Sequence, residues 1–300
     1  MEKVKIVVCG ATGTQGGAVL QNALKHPQWE VVALSRNPEG EQAGMIKRQG
    51  ATVKKGDLDD RQSLAEAYRG ADYVFGVTQP WSPDYKKCHP EQEVRQGKNI
   101  VEACLTNGVK HLVMSSAAHV VEGRTGIPHV DSKLDVEEYV QASGLSYTFL
   151  RPAQFMDNVG ASFFPVKKGV IRGFIAGQVR VPYIATHDIG AIAALVFDNP
   201  DPFSGKALDL VGDFISGHEL AETLSRIRGG EKFRYQAVPG ILMRLFAKEF
   251  YIMRKAFEDF GKPPYREDIQ ELIKECRAIY PGLMSMEQHL LSRGFDKIRR

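Results

Sequence analysis

Three hundred residues, 43% of them hydrophobic and 25% charged, with a formal net charge of +3, describe a globular chain able to bury its own core. So small a charge, with no dense basic stripe and no helix-turn-helix pattern, argues against direct nucleic-acid binding. The four scattered cysteines, Cys9, Cys88, Cys104 and Cys276, show neither a C-x-x-C pair nor zinc spacing. They exclude a disulfide framework, and no metal is expected.

In chain order, "VKIVVCG" (4–10) is a strand that follows the N-terminus directly, without a signal-peptide pattern. A helix over 15–26 and a strand "EVVALSR" (30–36) come next, then strands "ATVKKGD" (51–57), "ADYVFGVT" (71–78), "HLVMSSA" (111–117) and "SYTFLRP" (146–152). A helix-length segment separates each from the next, the mark of βαβ units around a parallel sheet. Beyond 152 a Gly-rich stretch contains one strand, "VRVPYI", leading into a helix that Asp188 caps. The longest apolar run, "IGAIAALVF" (189–197), is too short to cross a bilayer. No membrane partner is expected, and the location expected is cytoplasmic, with the nucleus open. From about 216 the pattern is mainly helical, including one long segment over "PGILMRLFAKEFYIMRKAFEDF" and a capping box at "SMEQ".

Gly10, Gly13 and Gly16 form G-x-x-G-x-x-G between the first strand and the first helix. Glycines there allow a sharp turn and close backbone approach, and the first N–H groups of a helix bind an anion, so the pattern points to a dinucleotide pyrophosphate. Ala11 lies within this turn, and Thr12, Thr14 and Gln15 add side-chain donors. An NAD site normally carries an acid at the end of the second strand, but "LSRNP" puts Arg36 and Asn37 there. A guanidinium pairs with a 2′-phosphate, so NADP(H) is the expected cofactor. Asp57 and Leu58 past the third strand are placed for the adenine, and Thr78, Gln79 and Pro80 past the fourth for the centre of the cofactor. The fold class is therefore α/β, a Rossmann-type doubly wound parallel sheet with a smaller, largely helical C-terminal lobe. The boundaries expected are 1–152 for the NADP(H)-binding domain, its sheet completed by 179–197, and 153–300 for a lobe covering the cleft.

With "VVCGATGTQGGAVLQNAL", "VVALSRNP", "GDLDD", "HPEQEVRQGKNIVEAC", "HLVMSSA", "LRPAQFMDNV" and "VPYIATHDIGAIAA", the chain resembles the NmrA-like family of atypical short-chain dehydrogenases. It is most similar to the family's animal redox-sensor branch. That resemblance implies binding of NADP(H), sensing of the NADPH/NADP⁺ ratio, control of regulatory protein partners it does not identify, a role in transcriptional regulation, and a dimer that depends on the cofactor. It also implies that Pro152, Phe155, Met156 and Asn158 touch the nicotinamide end. Catalytic members of the superfamily use a Ser with Tyr-x-x-x-Lys; here "PHVDSKL" keeps Lys133 but has His129 in place of the Tyr. Ser115 and Ser116 end the fifth strand without that Tyr beside them. Lys133 can hold the nicotinamide ribose without turnover, and Lys133 and His129 are the two candidate catalytic residues. The missing Tyr favours a non-catalytic regulator; the alternative is an NADPH-dependent reductase of quinones, whose reduced anion solvent can protonate.

Overall fold

The structure, a computed structural model, describes residues 3–82, 87–118, 124–161, 164–246, 248–260 and 265–297. It begins with β1 (Val4–Val8), α1 (Thr14–Ala23), β2 (Trp29–Ser35), α2 (Glu41–Arg48), β3 (Thr52–Lys55), α3 (Arg61–Ala67), β4 (Tyr73–Gly76), α4 (Pro90–Asn107), β5 (His111–Ser115), α5 (Pro128–Ala142) and β6 (Tyr147–Pro152). It continues through β7 (Gln154–Phe155), β8 (Val166–Lys167), β9 (Val170–Gly173), β10 (Arg180–Ile184), α6 (Thr186–Asp198), β11 (Lys206–Leu210) and β12 (Asp213–Ser216). Helix α7 (Gly217–Ile227), β13 (Arg234–Ala237), α8 (Gly240–Phe246), α9 (Lys248–Phe260), α10 (Tyr265–Ile279) and α11 (Met286–Ser292) follow.

The chain forms two compact units, Met1–Arg151 with Ile189–Asp209, and Pro152–Asp188 with Leu210–Arg300. In the first, a seven-stranded sheet runs in the order β11-β6-β5-β4-β1-β2-β3. Adjacent strands from β3 to β6 pair in parallel. At the edge, Gly205 donates to the Tyr147 carbonyl and Ala153 to that of Leu210, so β11 runs with β6. Ile6, Val7 and Val8 of β1 have no exposed surface, as expected of a central strand whose two faces are both covered. The helices start and stop on local chemistry. The Asp60 carboxylate accepts from the Gln62 and Ser63 N–H groups at the head of α3, Pro90 opens α4, and Gly108 at φ 64° closes it. Helix α6 packs so closely on α1 that a Cβ at Gly190 would lie 2.4 Å from the Ala18 carbonyl oxygen.

The second unit holds two three-stranded sheets, β12-β10-β7 and β13-β9-β8, and an apolar core that includes Met156, Phe164, Ile171, Tyr183, Leu220 and Leu290. Capping boxes open both α7, from Ser216 and Glu219, and α11, from Ser285 and Gln288, the second as the sequence suggests.

Two sequence expectations are corrected. The strand within 179–197 does not complete the parallel sheet: β10 pairs with β12 and β7, and the seventh strand is β11. Lys206 and Ala207 on that edge strand are exposed, so it lacks the apolar run by which buried strands are found. Asp188 does not cap α6 but lies inside its first turn, fully buried and accepting from the Met284 N–H, while the Asp157 carboxylate accepts from the Thr186 N–H at the helix start. The long segment after 239 is helical over Gly240–Phe246 and Lys248–Phe260, with Ala247 outside the described residues.

Candidate functional site

The turn after β1 is set by what its glycines lack. Gly10 sits at φ +61° with its missing Cβ 2.8 Å from a Val77 methyl, and a Cβ on Gly16 would lie 2.3 Å from the Gly10 carbonyl oxygen. Gly13 donates back to that same carbonyl at 2.8 Å. Helix α1 therefore starts on Gly13, with no side chain capping it and no acidic residue in its first turn. Gly10, Thr12, Gly13 and Thr14 are exposed while Ala11 and Gly16 are buried, so N–H groups at the positive end of the helix are left open to an anion. The residues fit a dinucleotide pyrophosphate, because the helix start is uncapped, carries no acid in its first turn and is exposed. Gln15 ties the turn to the sheet: the Ser115 hydroxyl at the end of β5 donates to its amide oxygen at 2.8 Å.

At the end of β2, Arg36 is exposed and makes no ion pair with any described residue. The Asn37 N–H donates to the Ser35 hydroxyl, leaving the exposed Asn37 amide at the same strand end. Asp57 is partly committed to its own loop, since its carboxylate accepts from the Asp59 N–H while its backbone N–H donates to Ser63. Leu58 packs against the core of the first unit. Cys9, beside the turn, shares a hydrogen bond with the Tyr68 hydroxyl, and burial pushes its thiol up to about 12, which keeps it protonated.

Past β4 the chemistry is carried by side chains. Lys133 is 8% exposed and Glu93 is 0% exposed; the ammonium lies 2.7 Å from Glu93 Oε1. The same ammonium donates to the Thr78 carbonyl at 3.0 Å and to the Thr78 hydroxyl oxygen at 2.9 Å. The Thr78 hydroxyl in turn donates to Glu93 Oε1, and the Ser132 hydroxyl donates to Oε2. All three N–H groups of Lys133 are thus taken within the protein, so the expectation of an ammonium open to ribose hydroxyls is revised: reaching them requires breaking one of these bonds. His129, one turn earlier on α5, lies with its ring 5.3 Å from that of Trp81. Burial depresses its pKa to about 4, with Lys133 also lowering it and Glu93 and Asp131 opposing, so the ring is neutral around pH 7. It cannot stand in for the missing Tyr as an acid there. Its Nδ1 is buried without a partner, as is the hydroxyl of Ser116. Gln79 is exposed, with its side-chain oxygen facing the Trp81 N–H, and Pro80 is buried.

The structure thus places Gly10 to Gly16, Arg36, Asn37, Asp57, Leu58, Thr78, Gln79 and Pro80 just past strand ends of one unit, and His129 and Lys133 on α5 of the same unit. Pro152, Phe155, Met156 and Asn158 belong to the other unit. Met156 is fully buried in that unit's core and has no surface to offer a nicotinamide, so packing replaces the contact expected of it. Sequence reading missed Glu93, Ser132 and Trp81. A signal for Glu93 existed: with Gly97, Ile100, Val101 and Cys104 it falls on one buried face of α4, where a carboxylate needs a partner. Among the described residues no group of His, Cys, Asp and Glu is arranged to hold a metal.

The profile of the NmrA-like family matches residues 2–290. An NmrA-like family domain-containing oxidoreductase, FrzB of Cladobotryum sp, is 29% identical, covering 95% of each chain. Quinone oxidoreductase 2 of Escherichia coli is 29% identical over 77% of both chains. A solved structure described as NADPH-dependent quinone oxidoreductase QOR2 from that organism, complexed with NADPH, aligns with TM-score 0.75 and 23% identity over 97% of this chain and 99% of the other. A structure of Nmra, described as a negative transcriptional regulator in complex with NAD, aligns with TM-score 0.76 and 20% identity over 96% and 94%.

Proposed function

The chain belongs to the NmrA-like family, and on that premise we propose that it binds NADP(H) and reduces flat acceptors of the quinone class, which need no proton from the protein. Bound reduced nicotinamide supplies a hydride; binding, orientation and proton control fall to this chain's own residues. The open N–H groups before α1 suit the pyrophosphate, and the Arg36 guanidinium, without an ion-pair partner among the described residues, suits a 2′-phosphate.

The observation that carries the reading is the state of the proton donors. The position of the usual Tyr holds a neutral His129, and every N–H of Lys133 is committed to Thr78 and Glu93. A simple aldehyde needs an acid at its developing alkoxide. A quinone instead leaves as a delocalised hydroquinone anion that water protonates. The name of the Escherichia coli relative supports the same acceptor class. The sequence alone favours a regulator; the reductase is put ahead by the oxidoreductase names of the relatives together with an acceptor chemistry that needs no acid from the protein. The test is NADPH consumption by the purified chain across quinones and aldehydes. Turnover of quinones with aldehydes at background is expected. Equal turnover of both classes, or of neither, removes the reading.

The commitment of Lys133 also favours a second reading, an NADP(H)-sensing regulator. There the NADPH/NADP⁺ ratio biases two conformations, and a protein partner or a second copy of the chain reads the difference. The two conformations must then prefer different redox forms of the cofactor, since equal affinity shifts nothing. Hydrogen exchange of the protein saturated with NADPH and then with NADP⁺ tests this: different protection supports sensing, and identical protection removes it.

A further inference from the structure

The second unit carries a cavity of about 540 Å³, within the span of roughly 300–1,000 Å³ usual for small-molecule sites. None of its lining residues belongs to the unit that holds the glycine turn. One wall is the sheet, where β10 and β12 pair Arg180 with Ser216 and Pro182 with Phe214. A second is α10, whose Gln270, Ile273 and Arg277 fall at i, i+3 and i+7 and so share a face. Two hydrogen bonds fix these walls: the Val211 N–H donates to the Cys276 sulfur at 3.3 Å, and the Met286 N–H to an Asp213 carboxylate oxygen at 2.8 Å. Gly212 lets the strand approach the segment before α11, since a Cβ there would lie 2.8 Å from the Met284 carbonyl oxygen.

The polar groups of the cavity have donors to spare and few acceptors. Arg180 is held in place by Glu219, which accepts from its Nε at 2.8 Å and from its Nη2, and by the Phe214 ring, whose centroid lies 5.8 Å from the guanidinium carbon. Its Nη1 has no partner among the described residues. Arg277 and Gln270 are exposed, and their side chains make no hydrogen bond or ion pair with any described residue. The Ser285 hydroxyl accepts from the Gln288 N–H, which leaves its own proton to give. The lining carboxylate, Asp213, already accepts from Phe214 and Met286 through one oxygen each. Phe214, Ile215 and Ile273 supply apolar surface beside these donors. A guanidinium fork matches two oxygens of a carboxylate or phosphate. We propose that this cavity binds a small organic anion, a carboxylate or phosphate carried on a short apolar body. Its oxygens meet Arg277 and the Nη1 of Arg180, and its body lies along Phe214, Ile215 and Ile273. The site stands whether the cofactor is turned over or only sensed.

Saturation-transfer NMR titrations of the full chain with phenyl phosphate, benzoate and neutral benzamide test the site. NADP⁺ is kept saturating, so that the turn before α1 is closed to the phosphate. At least one anion should bind while benzamide does not, and the tighter of the two names the head group. Arg277→Met, at an exposed position, should weaken binding about tenfold, the worth of a hydrogen bond to a charged group. Arg277→Lys should fall between, because it keeps the charge without the fork. Ile273→Trp fills the cavity and should abolish binding, with thermal melting as the check that each variant folds. NADP⁺ affinity should be the same in all three. Binding of neither anion, equal binding of benzamide, or binding indifferent to both Arg277→Met and Ile273→Trp overturns the proposal. So does a parallel fall in NADP⁺ affinity, which would place the anions at the glycine turn. If NADP⁺ does not bind at all, the proposed function fails while dependence on Arg277 and Ile273 still decides this site.

Discussion

The glycine turn before α1 and the cluster at the ends of β4 and β5 serve one site by opposite means. At the turn the working groups are backbone N–H, exposed because side chains are missing: no cap on Gly13, no acid in the first turn, no Cβ where Gly16 meets Gly10. At the cluster they are side chains buried so deeply that each depends on another, with Glu93 accepting from Thr78, Ser132 and Lys133. The first arrangement cannot titrate and tolerates little added volume. The second tolerates no unpaired charge, which makes it the more fragile of the two.

Glu93→Ala breaks the contrast most severely. It leaves a buried ammonium without its anion, at a cost of about 3–5 kcal/mol. Urea unfolding reads the loss, and adding Lys133→Met should restore most of it; no restoration would mean that the carboxylate matters for packing and not for charge. Acid comes next. His129 and His111 both have pKa values lowered to about 4, chiefly by burial, and His111 is wedged between Ser146 and Thr148. An unfolded histidine binds a proton near pH 6.5, which the native one refuses. The stability each neutral ring contributes is therefore complete above about 6.5 and drains away as pH falls toward 4, by up to about 3 kcal/mol for His111. Unfolding curves at falling pH should show this slope, and His111→Gln should flatten it.

At the turn, Gly16→Ala pushes a methyl into the Gly10 carbonyl, an overpacking cost of about 1–3 kcal/mol. NADPH titration should find binding lost or weakened by a factor on the order of 100. Arg36→Ala should lower the preference for NADPH over NADH about tenfold, the worth of a hydrogen bond to a charged group, as the ratio of the two dissociation constants would show. The smallest effect is expected for Asp60→Ala, which removes the α3 cap for about 1 kcal/mol and leaves cofactor affinity untouched.

The same contrast explains what the sequence could reveal. The turn is local: three glycines at fixed spacing between a strand and a helix, with Arg36 one strand later, can be read without knowing which segments meet. The parallel sheet was legible for the same reason, since β1 to β6 alternate with helices in chain order. The cluster is not local. Glu93 and Lys133 are 40 residues apart and meet only when α4 packs on α5, so nothing local in "DSKLDVEEYV" says that its lysine is buried. The edge strand β11 escaped notice because it is short and half exposed, and β10 was misassigned because its apolar run suits any sheet. Apolar pattern identifies what is buried; it does not say against what.

The central claim is hydride transfer that draws no proton from the protein, and single-turnover mixing tests it most directly. NADPH-loaded protein is mixed with 1,4-naphthoquinone or with benzaldehyde at pH values on either side of about 6.5, and loss of nicotinamide fluorescence is followed. The account predicts rapid oxidation by the quinone at the same rate at each pH, and none by the aldehyde. Aldehyde reduction at a comparable rate, or a quinone rate that follows a histidine-like titration, would contradict it.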